Sequence, residues 1–572
     1  NKEDHMKFSE MPYSRPDVEK LTADFKEIIE KLNNAATFEE ADELFAESGR
    51  ISAQVDTAFS IAYVRHSIDT RDEFYDKEIE FLDETSPVVN NIAQDLSKAL
   101  YESKFRPQFA EKYGELMFKN IEIQLKAFSP EIIPEMQEEN KLTTEYDKLI
   151  ASAQIPFEGE DRTLSQLTPF KQVVNDEKRM AAWKAEGGFY VENAQKLDDI
   201  YDKLVHLRDK MAKKMGYKNY IELGYYRMMR NSYTAKDVDR FREAVRKYIV
   251  PIADQLYREQ AKRTGLRYPL NFADAVLTFR SGNPVPQGSP DDILAHGKKF
   301  YHELSKETAE FIDFMYENEL LDVLSRTGKS GGGYCTAFPL YKSPFIFANF
   351  NGTAHDVEVI THEAGHAFAA FTARDIFPMD NQSPTLESCE VHSMSMEFFA
   401  WPWAKGFFGP DTDKFYYHHL SSAITFIPYG TMVDHFQHIV YENPDMTPEQ
   451  RHETWRELLG VYMPWMALDD EIPFYGEGKG WQRQSHIYER PFYYIDYCLA
   501  QTVALEFWAL MQKDQANAWD RYFKLVSFAG TKTFDGLVEA AGLETPFGDS
   551  ALKEVAETAT AWLNGFDKEK LA

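Results

Sequence analysis

Cysteine is scarce in this chain: only Cys335, Cys389 and Cys498 occur among its 572 residues. Their number is odd, they lie far apart, and none belongs to a Cys-x-x-Cys pair. This argues against the disulfide framework that stabilises small secreted domains. The cysteine content is typical of a protein in a reducing compartment, and we expect a cytoplasmic location.

Long apolar runs are also missing. No uninterrupted stretch approaches the roughly 18 residues of a transmembrane helix, and the first ten residues, NKEDHMKFSE, lack the apolar core of a signal peptide.

Basic residues are fewer than acidic ones. The chain has 63 Lys and Arg and 93 Asp and Glu, which gives a net charge of −30. Such a surface repels phosphates and anionic lipid head groups, so we expect neither nucleic acid nor a membrane as a partner.

Helical periodicity, in contrast, runs through most of the chain. Hydrophobic residues make up 43% of the sequence, which is enough for a large core. From about residue 17 to 140 they recur at steps of three and four, as in Val18, Leu21 and Phe25, and leave the other face charged. The sequence therefore predicts a mainly α fold. We divide it approximately into an N-terminal helical lobe, residues 1–200, and a second lobe, residues 201–572.

A few local signals place individual elements. Thr234 predicts the start of a helix that is kinked at Pro251, and Thr447, followed by Pro, Glu and Gln, predicts another helix start. Pro, Gly and Asp in residues 155–164 predict a short β-hairpin or loop. The aromatic-rich run at residues 343–350 has the length and composition of a β-strand.

The segment VITHEAGHAFAAF, which ends at Phe371, contains the pattern His-Glu-x-x-His. On a helix, His362 and His366 lie on one face, so both imidazoles can reach one metal ion, and neutral imidazole suits Zn²⁺. Glu363 lies at the flank, where a base for water at the metal belongs. The alternative is a chance match on a solvated helix. Apolar neighbours instead predict a packed helix, and Gly365 predicts close approach by another element.

A catalytic zinc site needs a third protein ligand. The longer motif HExxHxxGxxH is excluded because Ala369 and Thr372 stand where it requires Gly and His. A better candidate lies in the segment LESCEVHSMSMEFF, where Glu390 and Glu397 share one face of a helix that looks buried. A buried carboxylate needs a partner. His392 points to another face, so we expect it in the core or at the surface.

Three segments in the C-terminal part of the chain resemble the thimet-oligopeptidase family of zinc peptidases, and specifically its oligoendopeptidase F branch. They occur in the family's order, and together they are far more specific than His-Glu-x-x-His alone. The segments are THEAGHAF at 361–368, CEVHSMSMEFF at 389–399 and HIYERPFYYIDY at 486–497.

The resemblance implies a role for each matching residue. His362 and His366 match the two histidine ligands of the zinc, and Glu390 matches its third ligand. Glu363 matches the catalytic glutamate. Glu397 matches a second acid, which we expect to hold a ligand from behind. The expected cofactor is one zinc ion per chain.

His486, Tyr494 and Tyr497 match the His and Tyr side chains that the family places over the scissile carbonyl. For other tyrosines of this segment, Tyr493 among them, core packing is at least as good an explanation. The chain departs from the family pattern in two places. His392 stands where a small residue is usual, and three glycines precede His486 instead of following it.

The resemblance also implies an overall architecture. The family's fold is a zincin-like, neurolysin-type helical body of two lobes, with a deep substrate channel and a small β element near the zinc helix. A narrow channel of this kind admits short unstructured peptides and excludes folded proteins. Residues 345–349 either offer the edge of their strand to an extended peptide or lie buried in a small sheet.

We interpret the chain as a zinc-dependent oligoendopeptidase that hydrolyses internal bonds of short peptides. Two alternatives stay open. One is a helical metallocarboxypeptidase, which needs a cationic or amide group to bind a free C-terminal carboxylate. The other is a protein that binds peptides without hydrolysing them. His435 and His438 share a helical face but lack a third partner, so we expect them to be structural. The oligomeric state is not specified by the sequence.

Overall fold

Helices form the N-terminal part of the protein in the computed structural model, which describes residues 5–571. The first four residues of NKEDHMKFSE therefore lie outside the described residues. The first helices are α1 Val18–Asn33, α2 Phe38–Ile68, α3 Glu73–Glu102, α4 Arg106–Tyr113, α5 Glu115–Ala127 and α6 Ile133–Ala151. Helices α1 to α5 enclose a hydrophobic cluster of their own, which includes Leu21, Phe25 and Phe109. The predicted helical periodicity of this region is confirmed.

A β-hairpin follows, as the sequence predicts: β1, Ile155–Phe157, pairs antiparallel with β2, Glu160–Arg162. The next helices are α7 Leu164–Leu167, α8 Asp176–Glu192, α9 Ala194–Lys214, α10 Tyr220–Arg227, α11 Ala235–Ala244, α12 Val250–Thr264, α13 Phe272–Ala275, α14 Pro290–Leu304 and α15 Lys306–Glu317. Thr234 is the N-cap of α11, as predicted. A π-helical stretch, Val245–Ile249, joins α11 to α12, so the irregularity expected at Pro251 lies just before it.

A three-stranded sheet supports the predicted metal-binding helix. Its strands are β3 Leu321–Leu324, β4 Tyr334–Phe338 and β5 Ser343–Phe350, in the order β3-β5-β4. Strand β5 has the predicted bounds but is central, since it pairs parallel with β3 and antiparallel with β4. The prediction that residues 345–349 offer a free edge is therefore wrong, and the alternative of a buried strand is confirmed. A continuous apolar run is typical of a strand covered on both faces.

The remaining helices follow the sheet and form the C-terminal part of the chain. They are α16 His355–Thr372, α17 Leu386–Phe399, α18 Ala404–Phe408, α19 Thr412–Glu442, α20 Pro448–Tyr462, α21 Ser485–Glu489, α22 Ile495–Met511, α23 Gln515–Ser527, α24 Phe534–Ala540 and α25 Asp549–Gly565. Thr447 and Gln450 form a reciprocal capping box at the start of α20, as predicted. Among residues 5–571, no helix combines the length and apolarity needed to cross a membrane.

Helix α17 packs against both α16 and α22, and this three-helix contact positions the site. Gly365 makes the close approach between α16 and α17 possible. A Cβ atom at Gly365 would lie 2.8 Å from the carbonyl oxygen of His392 and 2.8 Å from the Cα of Ser393. Because any larger residue would push the two helices apart, the sequence-based prediction of a close approach at Gly365 is confirmed.

Candidate metal centre and active site

A short connection between β5 and α16 fixes the start of the helix that carries the His-Glu-x-x-His pattern. The buried Asp356 carboxylate accepts hydrogen bonds from the backbone N–H groups of Asn351 and Gly352, each at 2.8 Å. These bonds tie the end of the strand to the first turn of the helix. The buried face of α16 contains Gly365 and packs on α17, while His362 and His366 are only partly buried.

Three side chains converge on one point between α16 and α17. The ligand atoms of His362, His366 and Glu390 all lie within 4.8 Å of one another, and in the part of the chain that the structure describes this is the one group of His, Cys, Asp or Glu with that geometry. Glu390 Oε2 is 3.4 Å from Nε2 of each histidine. Two imidazole nitrogens and one carboxylate oxygen form a donor set that suits Zn²⁺ with a fourth position open.

The electrostatics of this group also favour a cation. Burial opposes the ionised form of Glu390, yet His366 and His362 outweigh it and hold the pKa of Glu390 well below its usual range. Burial likewise opposes protonation of His362, but Glu390 and Glu397 raise its pKa well above the ordinary value. A metal ion at this point competes with those protons for the same lone pairs. The residues present therefore fit a bound divalent metal.

Glu397 lies behind His362, where a supporting acid was expected. Its Oε2 is 3.2 Å from His362 Nδ1, so Nδ1–H donates to the carboxylate and the Nε2 lone pair faces Glu390. Sequence reasoning missed a further neighbour, His419. The Trp401 indole N–H donates to His419 Nδ1 at 2.7 Å, which leaves the proton on Nε2, 3.8 Å from Glu397 Oε1.

Tyr493 contacts the predicted third ligand directly. Its hydroxyl donates to Glu390 Oε1 at 2.8 Å, while Ser393 Oγ donates to Oε2 at 2.9 Å. Oε1 is thereby occupied, and Oε2 is left facing the two histidines. Sequence reasoning missed this role because Tyr493 precedes α22 and follows Phe492, whose φ of 70° lies in the left-handed region. Helical periodicity therefore does not set the direction of the Tyr493 side chain.

His486 is held as a neutral hydrogen-bond donor. The Tyr429 hydroxyl donates to Gln484 Oε1 at 2.7 Å, so the Gln484 amide N–H₂ faces His486 Nδ1, at 3.0 Å. With Nδ1 accepting, the ring proton is on Nε2, which lies 3.4 Å from the Tyr497 hydroxyl. Burial lowers the pKa of His486 to about 4, so the ring is uncharged at neutral pH.

The two other predicted tyrosines lie in different environments. Burial, followed by the nearby Glu390 carboxylate, raises the pKa of Tyr497, so its hydroxyl remains a proton donor beside the metal-ligand group. The Tyr494 ring packs against Phe426 and Tyr429. Tyr429 is also the foremost charge influence on the pKa of Tyr494, after burial itself. Edge-on contacts also place the Tyr494 ring 5.0 Å from the His486 ring and 5.3 Å from the Tyr497 ring, centre to centre, so the three predicted side chains lie together.

Glu363 follows His362 on α16 and is partly buried. Burial raises the pKa values of Tyr497 and Cys335, and the Glu363 charge adds to both, so the carboxylate lies close enough to each to influence it. Among residues 5–571, no hydrogen bond or ion pair occupies the Glu363 carboxylate. It is therefore available to water and substrate.

Buried hydrogen bonds hold the segment that carries His486. The Tyr146 hydroxyl of α6 donates to the carbonyl oxygen of Gln482 at 2.7 Å. The Arg208 guanidinium of α9 donates to the carbonyl oxygen of Tyr488 at 2.6 Å. These contacts fix both ends of the turn that presents His486 to the site.

Three other histidines are structural, as the sequence predicts. His392 is 2% exposed, and burial lowers its pKa to about 3. His435 Nδ1 lies 2.9 Å from the Tyr462 hydroxyl, and His438 Nε2 lies 2.9 Å from the Tyr225 hydroxyl. Among the described residues, none of the three belongs to the group of metal-ligand candidates.

Comparison with known proteins gives two family matches. Residues 8–128 match the peptidase M3 N-terminal domain, and residues 296–557, which contain all the candidate site residues, match peptidase family M3. No curated protein sequence matches the chain.

Solved structures match over almost the whole length. A structure described as Pz peptidase A with an inhibitor has a TM-score of 0.96 and 46% identity, and the match covers 98% of this chain and 100% of that one. A candidate oligoendopeptidase F has a TM-score of 0.96 and 45% identity, covering 99% and 100%. Another, from Bacillus anthracis, has a TM-score of 0.92 and 45% identity, covering 99% of each chain. The chain therefore belongs to peptidase family M3, in its oligoendopeptidase F branch, and is a metalloendopeptidase.

Proposed function

We propose that this protein is a zinc-dependent oligoendopeptidase that hydrolyses internal bonds of short, unstructured peptides in the cytoplasm. The observation that carries the proposal is the convergence of His362, His366 and Glu390. The neighbouring Glu363 carboxylate forms no hydrogen bond or ion pair within residues 5–571. Three cysteines that form no disulfide are consistent with a reducing compartment. The division into lobes at residue 200 stays a prediction.

His362, His366 and Glu390 would hold the zinc ion, and Tyr493 and Glu397 would orient two of these ligands. When bound, the metal supplies Lewis acidity that activates water and polarises the peptide carbonyl. The protein's part is to fix the donor atoms around one point and to leave the fourth position accessible from the Glu363 side.

Glu363 serves as the general base. It takes a proton from the attacking water and later passes that proton to the leaving amine. Its carboxylate suits this task because no hydrogen bond or ion pair within residues 5–571 engages it. The Tyr497 hydroxyl and the Nε2–H of His486 serve as donors to the oxyanion that develops on the carbonyl oxygen. Their mutual distance of 3.4 Å allows both to face one oxygen atom.

The outer edge of β4 is a better candidate than β5 for binding the peptide main chain, because β5 is paired on both sides. In the order β3-β5-β4, strand β4 pairs on one side only, and Cys335 of β4 lies close enough to Glu363 for its pKa to be raised by that charge as well as by burial. An extended peptide added at this edge would bring its carbonyl groups past Glu363. Main-chain hydrogen bonds of this kind give affinity without strong side-chain selectivity.

A deep channel is supported by a side chain that is exposed yet enclosed. Tyr63 is 52% exposed, although burial is the leading influence on its pKa. Atoms that water can reach while thick protein surrounds them are typical of a cleft wall. We therefore propose that substrates must be narrow enough to enter such a cleft.

The reaction is tested with a mixed pool of synthetic peptides. Product sequences, determined by mass spectrometry with and without a chelator, should show metal-dependent cleavage of internal bonds. An end-blocked peptide distinguishes this function from a metallocarboxypeptidase, which would leave it intact. Binding of peptides with no cleavage at any metal concentration would instead support the non-hydrolytic alternative.

We predict one tightly bound zinc ion per chain. Substitution of a ligand, or of a residue that orients a ligand, should weaken zinc retention to different degrees. Glu390→Gln should weaken metal retention most, because a neutral amide replaces the anionic ligand. Tyr493→Phe should weaken it by about 10- to 100-fold, as is usual when a group that orients a ligand is removed. Metal content after gel filtration and competition with a chromophoric chelator measure both effects. Full retention in Glu390→Gln would make Glu397 the next candidate ligand, and two tightly held ions per chain would contradict the single site.

A size limit is the second prediction of the proposed function. Cleavage efficiency should fall as the substrate is lengthened beyond an oligopeptide, and folded proteins should resist, since neither enters a narrow cleft. In one measurement, kcat/KM is determined for nested peptides that share one cleavage site. In the other, the digestion of denatured casein is followed under the same conditions. Efficient digestion of casein would contradict the oligopeptidase proposal and leave the metal-dependent hydrolase intact.

A further inference from the structure

Arg483 lies deep in the protein and carries an exposed guanidinium. Burial is the largest single influence on its pKa and opposes the positive charge, although neighbouring tyrosines and Glu186 more than offset it. The side chain is nevertheless exposed to solvent. Its guanidinium carbon lies 5.8 Å from the centre of the Tyr475 ring, so the cation stands beside an aromatic surface.

No acidic partner neutralises this cation. In the part of the chain that the structure describes, no carboxylate oxygen forms an ion pair with Arg483. The nearest acid in its electrostatic environment, Glu186, is already engaged, because Lys171 Nζ lies 2.7 Å from its Oε2 and the Tyr475 hydroxyl donates to the same oxygen at 2.7 Å. An arginine is always charged, and a sheltered charge without a counter-ion is costly. This unpaired cation is therefore a local site for an anionic group, although the chain as a whole carries a net charge of −30.

The position of Arg483 connects it to the proposed active site. It precedes His486 by three residues, and the intervening Gln484 bonds both His486 and the Tyr429 hydroxyl. Burial raises the pKa of Tyr429, and the nearby Arg483 charge opposes that rise. Tyr494, which packs on Tyr429, has Arg483 among the charges that influence its pKa. Arg483 and His486 therefore share one wall, with an aromatic surface between them.

We propose that Arg483 binds a carboxylate of the peptide substrate. A guanidinium pairs with a carboxylate through two parallel N–H···O bonds, and among residues 5–571 no carboxylate is paired with Arg483. Every unblocked peptide carries such a group at its C-terminus, and Asp or Glu side chains carry the same chemistry. The wall from His486 to Arg483 has a fixed length, so this contact would select peptides whose carboxylate lies at a set distance from the cleaved bond. The inference rests on the proposed function and adds a substrate class to it.

Two peptide pairs test the proposal on the metal-loaded protein. The first pair shares one sequence and ends in either a free carboxylate or an amide. The second pair ends in an amide and contains either Glu or Gln beyond the cleaved bond. Dissociation constants are measured by fluorescence anisotropy in the Glu363→Gln background, and kcat/KM is measured in the otherwise unchanged enzyme. Binding in the first assay needs no hydrolysis, so failure of the proposed peptidase activity and failure of the carboxylate contact are distinguished.

We expect one pair to differ by about 10- to 100-fold in affinity, in favour of the carboxylate. Arg483→Gln should remove that difference, Arg483→Lys should retain part of it, and Arg267→Gln, which removes an exposed arginine away from the site, should leave it unchanged. A difference in the first pair identifies the C-terminus as the source of the carboxylate, and one in the second pair identifies a side chain. Thermal melting checks that the variants fold.

Two results would overturn the proposal. The first is equal binding of both members of both pairs by the protein with Arg483 intact, which needs no variant to fold. The second is a carboxylate preference that survives undiminished in Arg483→Gln.

Discussion

Glu363→Gln is expected to lower turnover by about 10²- to 10⁴-fold, the usual contribution of a positioned general base. The amide fills the same space as the carboxylate but cannot accept a proton. Zinc content should remain at one ion per chain, because Glu363 is not among the three side chains whose ligand atoms converge. Steady-state kinetics with a quenched-fluorescence peptide and metal analysis of the same sample measure the two quantities together.

The control for Glu363→Gln is Glu557→Gln, which makes the same change at an exposed position of α25. It should leave turnover and zinc content unaltered. Loss of zinc from Glu363→Gln would show that the group acts on the metal instead of on water. Turnover within a few-fold of the unchanged enzyme would assign the proton transfer to another residue.

Much of the candidate site follows from spacing along helices. His362 and His366 lie one turn apart on α16, and Glu390 and Glu397 lie two turns apart on α17, so helical periodicity alone assigns each pair to one face. Gly365 predicts the contact between α16 and α17. A glycine inside a helix destabilises it, so its presence indicates that the backbone of another element approaches closely. Local chemistry of this kind can be interpreted without knowledge of the tertiary structure.

The remaining contacts depend on tertiary packing and could not be predicted from spacing. The strand at residues 343–350 has a clear pattern, but which edges are paired depends on β3 and β4, which have weaker patterns. Tyr493 precedes helix α22, so the direction of its side chain is set by the turn at Phe492. Arg483 and His419 are ordinary residues in the sequence, and only the fold shows what surrounds them.

In the segment from His486 to Tyr497, the residues can be predicted from the sequence, but their contacts depend on tertiary packing. The family resemblance indicates three residues there, and the structure brings two of them, His486 and Tyr497, next to each other at 3.4 Å. The Tyr494 ring contacts both of these rings and packs as well on Phe426 and Tyr429. A spacing of three residues places Tyr494 and Tyr497 on neighbouring parts of a helix, and their rings meet edge-on with centres 5.3 Å apart.

Tyr497→Phe is expected to cut turnover by about 10²- to 10³-fold, or about 2.7–4 kcal/mol, the usual cost of removing one donor to an oxyanion. A phenol aimed at a charge that develops during the reaction acts mainly in the transition state, so KM should stay within a few-fold. Zinc content should be unchanged, because the Glu390 carboxylate keeps its bond from Tyr493. His486→Ala should have a similar effect on kcat.

The comparison with Tyr494→Phe decides whether this effect is specific to Tyr497. Tyr494→Phe should leave kcat within a few-fold, because among residues 5–571 no hydrogen bond connects the Tyr494 hydroxyl to His486 or Glu390, whereas the Tyr497 hydroxyl lies 3.4 Å from His486 Nε2. The reverse result, with near-normal turnover in Tyr497→Phe and a large loss in Tyr494→Phe, would transfer the oxyanion role to Tyr494 and imply that the segment rearranges when substrate binds. Normal turnover in both single variants and in the double variant would reduce the tyrosines to core packing. In that case the neutral Nε2–H of His486 would be the remaining candidate donor to the oxyanion.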